Sequence, residues 1–508
     1  MENTINLHGK FEENAMHIKV YCLNTLKYCL DKFHSASIDY CHFKSNSHLL
    51  NGMYGDTDLD ILVNRSQRSI SSELLSAADF KRFVPMPAVA YPGVEDWIGF
   101  DRDTGRLIHL QIHWQLIAGE PDLKGYHLPW EYEILSTRIF NNEYGIFTTS
   151  PEMEMLLLLT RICLKHRFRD NLLLIGKKYP KQGLMHEYQW LYERADLAKT
   201  IELSGTLLSV QTSAYIEDLL SSKDFDNRKF NVLRKSVKRD LVSYKTYGIV
   251  DGTVRRWRRE SCRLILTFVS KRMGVLTVGR RIPAAGGLVI ALIGADGAGK
   301  STLAKDMTKW LGWKLDVSRI YFGSGEGFPL IIRKVMTWYK AIIYRIFQFR
   351  SPKNIDSNLF YHLLTVLYAL SLAQAKYIKV RKVYRARNKG MVVICDRYPQ
   401  DQFAGFNDGP LLSDLNKLGF PWDILANWER HIYKKMLKNI PDLVIKLNVD
   451  SEIAMNRKQD TTKDILIKKI SAVKDLAFNP VTDVISIATN EKYENVSKEI
   501  KTAIWNKI

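Results

Sequence analysis

The period of apolar and polar positions changes several times along the chain, and each change predicts a different kind of structure. Residues 15–35 carry apolar side chains at helical spacing and predict an amphipathic helix. The stretch Gly55-Asp-Thr-Asp58-Leu-Asp60-Ile-Leu-Val63 then alternates acidic and apolar residues, as a strand does, so Asp58 and Asp60 fall on one face. Arg106-Leu-Ile-His109-Leu-Gln111-Ile-His113-Trp114 reads as another β segment. From Ser150 the period turns helical, opening on Ser-Pro-Glu, a capping residue followed by proline in the first turn. Helices are expected from there to about residue 222. From Leu288 onward, short apolar strands alternate with helical stretches, which predicts a parallel sheet with helices on both faces. Pro283-Ala-Ala-Gly-Gly287 breaks the chain just before that pattern begins. The fold class is therefore α/β, in three parts: an α+β domain over 1–149, a helical connecting region over 150–283 and an α/β domain over 284–508.

The sharpest chemistry follows the first of the later strands. Leu288 to Ile293 is an unbroken apolar run, the pattern of a strand buried on both faces. It leads into Gly294-Ala-Asp296-Gly297-Ala-Gly299-Lys300-Ser301, which fits the phosphate-loop spacing G-x-x-x-x-G-K-[ST], and a helix is expected from Thr302. Glycines let successive backbone N–H groups converge on one anion, and the helix presents its positive end there. Gly294, Gly297, Gly299, Lys300, Ser301 and Thr302 are the candidate nucleotide-binding residues. Lys300 would reach the β- and γ-phosphates, and the Ser301 hydroxyl would ligate Mg²⁺.

Charge adds a second theme. The 508 residues exceed one core, and the formal net charge of +20 with a pI near 9.4 points to an anionic partner. Between Arg228 and Arg281 there are sixteen Lys and Arg against three acids, with Arg255-Arg-Trp-Arg-Arg259 the densest piece. A basic helix bearing aromatics suits nucleic acid or an anionic membrane face. The stretch Arg333 to Arg350 has the same character. Six scattered cysteines without metal-ligand spacing fit a reduced, cytoplasmic setting, and the polar start MENTINLHGKFEEN lacks a signal-peptide core. The apolar run Leu359–Ala375 contains His362 and Gln374, and is expected to be a buried crossover helix, not a membrane span.

Further markers follow in order. Gly390-Met-Val-Val-Ile-Cys-Asp396-Arg397-Tyr398 is a strand ending in an acid, which would put Asp396 beside Mg²⁺ or its water shell and let Arg397 meet a phosphate in bidentate fashion. Pro441-Asp-Leu-Val-Ile-Lys-Leu447 is another buried strand, and Asp450 to Lys458 is a helix carrying Arg457 toward the nucleotide. Together these markers resemble thymidylate kinase and its relatives. That resemblance implies ATP-Mg²⁺ held by Lys300 and Ser301, Asp396 and Arg397 serving metal and acceptor phosphate, Arg457 as a lid arginine, and Asp296 facing the acceptor. Two segments depart from the family: Tyr321-Phe-Gly-Ser-Gly-Glu-Gly327 and Pro399 to Pro410 replace the parts that grip thymine.

The N-terminal part resembles the nucleotidyltransferase superfamily through Ser45 and the Asp58-Leu-Asp60 pair, two carboxylates suited to clamp Mg²⁺. It departs from that family at Lys44, where a glycine is usual, and at Gln111, where a third carboxylate is usual; Asp96, Asp101 and Asp103 are the substitutes at hand. His109 and His113 share the Gln111 face and are expected to make polar contacts. The whole arrangement is similar to bacterial two-domain proteins associated with surface polysaccharide synthesis. The expected function is transfer of the ATP γ-phosphoryl group to a dTMP-like or other phosphate or hydroxyl acceptor, with a second, nucleotidyltransferase-type activity open. The alternative is an NTP-dependent switch whose basic region contacts nucleic acid or membrane. Expected partners are a nucleotide and a small-molecule, lipid-phosphate or sugar-phosphate acceptor. Peripheral contact with the inner face of a membrane, nucleic acid and a second copy of the chain stay open.

Overall fold

The computed structural model describes residues 22–87, 89–166, 182–221, 225–273, 279–323, 359–457 and 462–508, with residues 331, 334, 335, 337 and 338. The start of the first expected helix, most of the basic stretch Arg333–Arg350 and the end of the Tyr321–Gly327 segment lie outside them. The chain forms two compact units, one of residues 1–82 and 90–260, the other of 83–89 and 261–508.

The N-terminal unit is built on a mixed sheet in the order Phe80–Pro85, Val94–Asp101, Arg106–His113, Leu59–Val63, Tyr40–His42, Ile146–Thr148 and Ile139–Asn141. Leu59–Val63 runs parallel to Arg106–His113, which in turn pairs antiparallel with Val94–Asp101. The register sets Asp60 opposite Gln111, and Gln111 opposite Asp96. The helix Asn24–Ser35 covers one side through Leu26, Cys29, Leu30 and Phe33.

The sequence boundary at 149/150 does not separate two bodies, because residues 150–260 group with this unit. The cause is the helix Pro151–Lys165. Ser150 Oγ caps it by accepting from the Met153 N–H, as the Ser-Pro-Glu pattern predicts. Met153, Met155, Leu156, Leu157, Leu158 and Leu159 are all buried, so the helix is apolar on nearly every side. It shares one core with Cys41, Phe43 and Leu62 of the sheet and with Ile216, Leu219, Phe230 and Leu233 of the later helices. Each leucine so buried contributes about 1.5–3 kcal/mol, which joins the helical region to the sheet.

The C-terminal unit has the parallel sheet that strand–helix alternation predicts. Its order is Val317–Tyr321, Val392–Asp396, Leu288–Gly294, Leu443–Asn448 and Asp483–Ala488, every neighbouring pair parallel. Leu288–Gly294 is central, and the chain leaves it toward both sides, so its C-terminal end is where such sheets open a crevice. The crossover helix Leu359–Asn388 buries Ala373, Val380, Val383 and Ala386 in the core behind the sheet. Among the described residues, His362–Asn388 is the one helix long and apolar enough to cross a membrane; only a third (33%) of its apolar stretch is buried and Leu363, Leu367 and Ile378 are exposed, so the helix is not the fully buried crossover that the sequence predicts. All six cysteines are free thiols.

Candidate functional site

The strand Leu288–Gly294 ends where the loop Ala295–Gly299 turns into the helix Lys300–Leu311. Gly297 and Gly299 have φ of 83° and 82°, left-handed backbone that glycine takes without a Cβ clash. At Gly297 a Cβ would also stand 2.6 Å from the Ala454 carbonyl oxygen, so the loop is packed too closely there for any side chain. Lys300 follows directly. It is buried, and its Nζ donates to the Ala295 carbonyl at 2.6 Å, folded back over the loop. Burial and the neighbouring Arg397 push its pKa down to about 8, against the pull of Asp296, Asp396 and Asp408.

The parallel register brings the next strand to the same end: Leu292 pairs with Asp396, and Asp396 with Tyr321. Asp396 is 1% exposed, and its Oδ1 has no hydrogen-bond partner among the described residues. A buried, unpartnered carboxylate oxygen is the donor a hard cation or its water shell accepts. Ser301 stands one residue beyond Lys300 at the start of the helix, and Thr302 follows it. Arg397 adopts a left-handed backbone, φ 73°, held by its N–H donating to the Leu292 carbonyl. That turn sends its guanidinium to Asp296 at 3.0 Å and Asp408 at 3.4 Å. Burial opposes the charge on Arg397, but the two carboxylates outweigh it and hold the pKa above its ordinary value. Asp296 is partly buried, which raises its carboxyl, yet Lys469, at 2.6 Å, with Arg397 and Lys300, keeps it well below the usual carboxylate range.

Lys376 completes the chain of charges. It is 2% exposed, and its Nζ lies 3.1 Å from Asp408 Oδ1. These groups line a cavity of about 520 Å³, with Tyr321, Tyr368 and Asn407 among its other walls. Arg457, at the end of the helix Ser451–Arg457, donates to the Thr489 carbonyl and reaches within 3.5 Å of the Gly297 carbonyl. Every sequence-predicted residue of this unit is therefore at or beside the loop. Sequence reasoning did not find Lys376, Asp408 and Lys469. A lysine inside the apolar run Leu-Ala-Gln-Ala-Lys376-Tyr-Ile was the available signal for the first, and Asn407-Asp408-Gly409 after Asp396-Arg397-Tyr398 for the second.

In the N-terminal unit Asp58 and Asp60 stand beside one another but each has a cationic or imidazole neighbour. Lys44 Nζ is 2.7 Å and His113 Nε2 3.1 Å from Asp60 Oδ1. Burial raises the Asp60 carboxyl, but Lys44 and His113 overcome it and hold it well below its ordinary range. Burial lowers His113 to about 4, so it is neutral near pH 7. His109 Nδ1 lies 3.0 Å from Asp58 and its Nε2 2.8 Å from Asp96, so the two histidines make the polar contacts expected of them. Asp96 thus reaches the face that Gln111 leaves without a third acid, whereas Asp101 is tied to Thr25 and Thr104 instead. Ser45, whose φ is 60°, supplies the left-handed turn, and Lys44 beside it supplies a charge. Among the described residues no three His, Cys, Asp or Glu side chains stand together as metal ligands.

No protein-family model matches the chain. A nucleoside kinase structure, deoxyadenosine kinase from M. mycoides with bound dATP, aligns with 43% of this chain and 98% of its own at 16% identity and a TM-score of 0.27, a likeness too slight to argue from. Sequence relatives are clearer. The Escherichia coli K12 protein described as uncharacterized ATP-binding protein YghR is 32% identical over 222 residues, 42% of this chain and 86% of that protein. YghS from the same strain, described likewise, is 32% identical over 203 residues, 38% of this chain and 81% of its own. With a phosphate loop, an acid-tipped neighbouring strand and these matches spanning most of each relative, the chain belongs to the family of the ATP-binding proteins YghR and YghS.

Proposed function

We propose that this chain binds ATP at the Gly294–Thr302 loop and transfers its γ-phosphoryl group to an acceptor in the adjoining cavity. The observation that carries the reading is that Asp296 and Arg397 belong both to the loop's surroundings and to the cavity wall. Family membership with proteins described as ATP-binding supports the donor half. An acceptor oxygen, from a hydroxyl or a phosphate, attacks the γ-phosphorus while the bond to the β–γ bridging oxygen breaks and ADP leaves; a hydroxyl acceptor gives up its proton. Lys300 neutralises charge on the phosphates, and Arg397 and Lys469 are placed to meet an anionic acceptor. Ser301 and Asp396 are the residues that would hold Mg²⁺, which when bound neutralises the β- and γ-oxygens. A dTMP-like acceptor is one candidate.

The test is ATP consumption by the purified protein with Mg²⁺, with dTMP against other nucleotides, sugars and lipid-linked phosphates, and with Lys300→Ala as control. Turnover that one acceptor stimulates and the variant lacks is the expected result. ATP hydrolysis that no acceptor changes would sink the transferase reading and favour an NTP-dependent switch. A second reading, nucleotidyl transfer by the N-terminal unit, draws on Asp96 standing on the strand face beside Asp58 and Asp60. Nucleotide transfer unchanged in Asp58→Asn and Asp60→Asn variants would remove it.

A further inference from the structure

The helix Ile249–Met273 has two unlike sides. Over its first half one side docks on the N-terminal unit: Arg256 pairs with Glu120 at 2.6 Å, and Arg259 donates to the carbonyls of Asp122 and Ala90 at 3.0 Å each. Gly252 lies on that side, against Leu123 and Tyr247. The opposite side is apolar and uncovered. Val250, Val254, Trp257, Leu264 and Phe268 recur at alternating three- and four-residue steps once Ser261 is counted, which at 3.6 residues per turn is a single stripe. Trp257 is 73% exposed, Leu264 69% and Phe268 61%, fractions far above those of packed side chains. Ile265, also exposed, widens the stripe, and Arg258 and Arg263 are exposed on the same helix.

We propose that this stripe is a membrane-docking surface that lays the helix on an anionic lipid face. Charge selects the occupant. The helix carries seven Lys and Arg against two acids, so a second copy of the same helix would bring like charge against like. Nucleic acid answers the charge but leaves a row of Trp, Leu, Ile and Phe with nothing apolar to cover it. An anionic bilayer answers both: the apolar side chains enter the headgroup–acyl boundary, while the arginines stay at the level of the lipid phosphates. Trp257, amphipathic and midway along the stripe, is the residue type that prefers this depth.

The experiment is cosedimentation of the full chain with vesicles of phosphatidylcholine alone and of phosphatidylcholine mixed with phosphatidylglycerol, at low and high salt. The expected result is binding to the mixed vesicles that salt weakens, with Trp257→Glu and Leu264→Glu each lowering affinity by on the order of tenfold or more. Arg258→Gln lowers it roughly fivefold, and Val210→Glu, an exposed site on another helix, leaves it unchanged. These positions are exposed, so circular dichroism of the variants should match that of the parent. Absence of binding to the mixed vesicles, or equal binding by Trp257→Glu, overturns the proposal. A dimer in light scattering that Trp257→Glu turns into a monomer would give the stripe to a second copy. Salt-sensitive binding of an RNA or DNA oligomer that the same variant loses, without vesicle binding, would give it to nucleic acid. Neither Lys300 nor the cavity takes part, so this outcome is independent of the phosphotransfer test.

Discussion

With its ammonium buried against the Ala295 carbonyl and Arg397 nearby, Lys300 loses its proton near pH 8 in the ligand-free chain. The shift is downward, so the charged form that a phosphate needs is complete below that pH and is lost as pH rises through it. ATP affinity, read by titration with a fluorescent ATP analogue, should therefore fall between pH 7 and 9, while Lys300→Ala binds weakly and without that dependence. Loss of this one cation should lower turnover by about 10²–10³. Affinity that stays flat across this range in the parent protein would show that Lys300 is not the group that meets the phosphates. Asp408 presents a different test. Its carboxylate is the counter-charge for Lys376, which is 2% exposed, and it also faces Arg397. Asp408→Ala leaves a buried ammonium without its counter-charge, with only the backbone carbonyl of Asp408 and the Tyr433 hydroxyl still in reach, a change that costs about 3–5 kcal/mol. Thermal unfolding should register the loss, and adding Lys376→Met should recover much of it. A double variant no more stable than the single one would mean that the pair is not the source.

At the scale of the element, the phosphate loop depends on glycine at one position more than at the others. Gly297→Ala would set a methyl carbon 2.6 Å from the Ala454 carbonyl and force an alanine into left-handed backbone, itself a cost of about 1–2 kcal/mol. Ala454 belongs to the helix Ser451–Arg457, so the loop and that helix have to separate, and ATP affinity should fall roughly tenfold or more with the sheet intact. Gly286→Ala is the control: its φ is 109°, but the space around it is open, so it should lose some stability and no affinity. Equal affinity in Gly297→Ala would disprove the close packing as a determinant of the site. The loop, its strand and its helix were legible in the sequence because they are consecutive residues whose geometry is local. Asp96 was not. It reaches the Asp58 face because Val94–Asp101 pairs antiparallel with Arg106–His113, and a pairing between separate strands has no local mark. The same reason hid the union of residues 150–260 with the N-terminal sheet, since a helical period tells which side is apolar and not what covers it. Pro151–Lys165 did carry a hint, being apolar on almost every side.

At the scale of the molecule, the charged groups named for each candidate site fall, among the described residues, within a single unit. Asp58, Asp60 and Asp96 are held by Lys44, His109 and His113, all on the N-terminal unit. Asp296, Asp396, Arg397, Asp408, Lys376 and Lys469 all belong to the C-terminal unit, as do Lys300 and Ser301. If phosphoryl transfer needs only the second set, replacing the first should leave it alone. The expected outcome is that Asp60→Asn transfers phosphate at the parent rate, while Lys300→Ala transfers it about 10²–10³ times more slowly. Asp60→Asn weakens the attraction for Lys44 and alters the contact with His113 without removing an apolar side chain, so the fold of the unit should survive; its thermal transition provides the check. The converse holds for any nucleotidyl transfer, which Lys300→Ala should leave intact and Asp60→Asn should abolish. A fall in phosphoryl transfer with Asp60→Asn, at unchanged stability, would refute this independence. It would mean that the substrate of one unit is the product of the other, and both reactions would then have to be measured as one sequence.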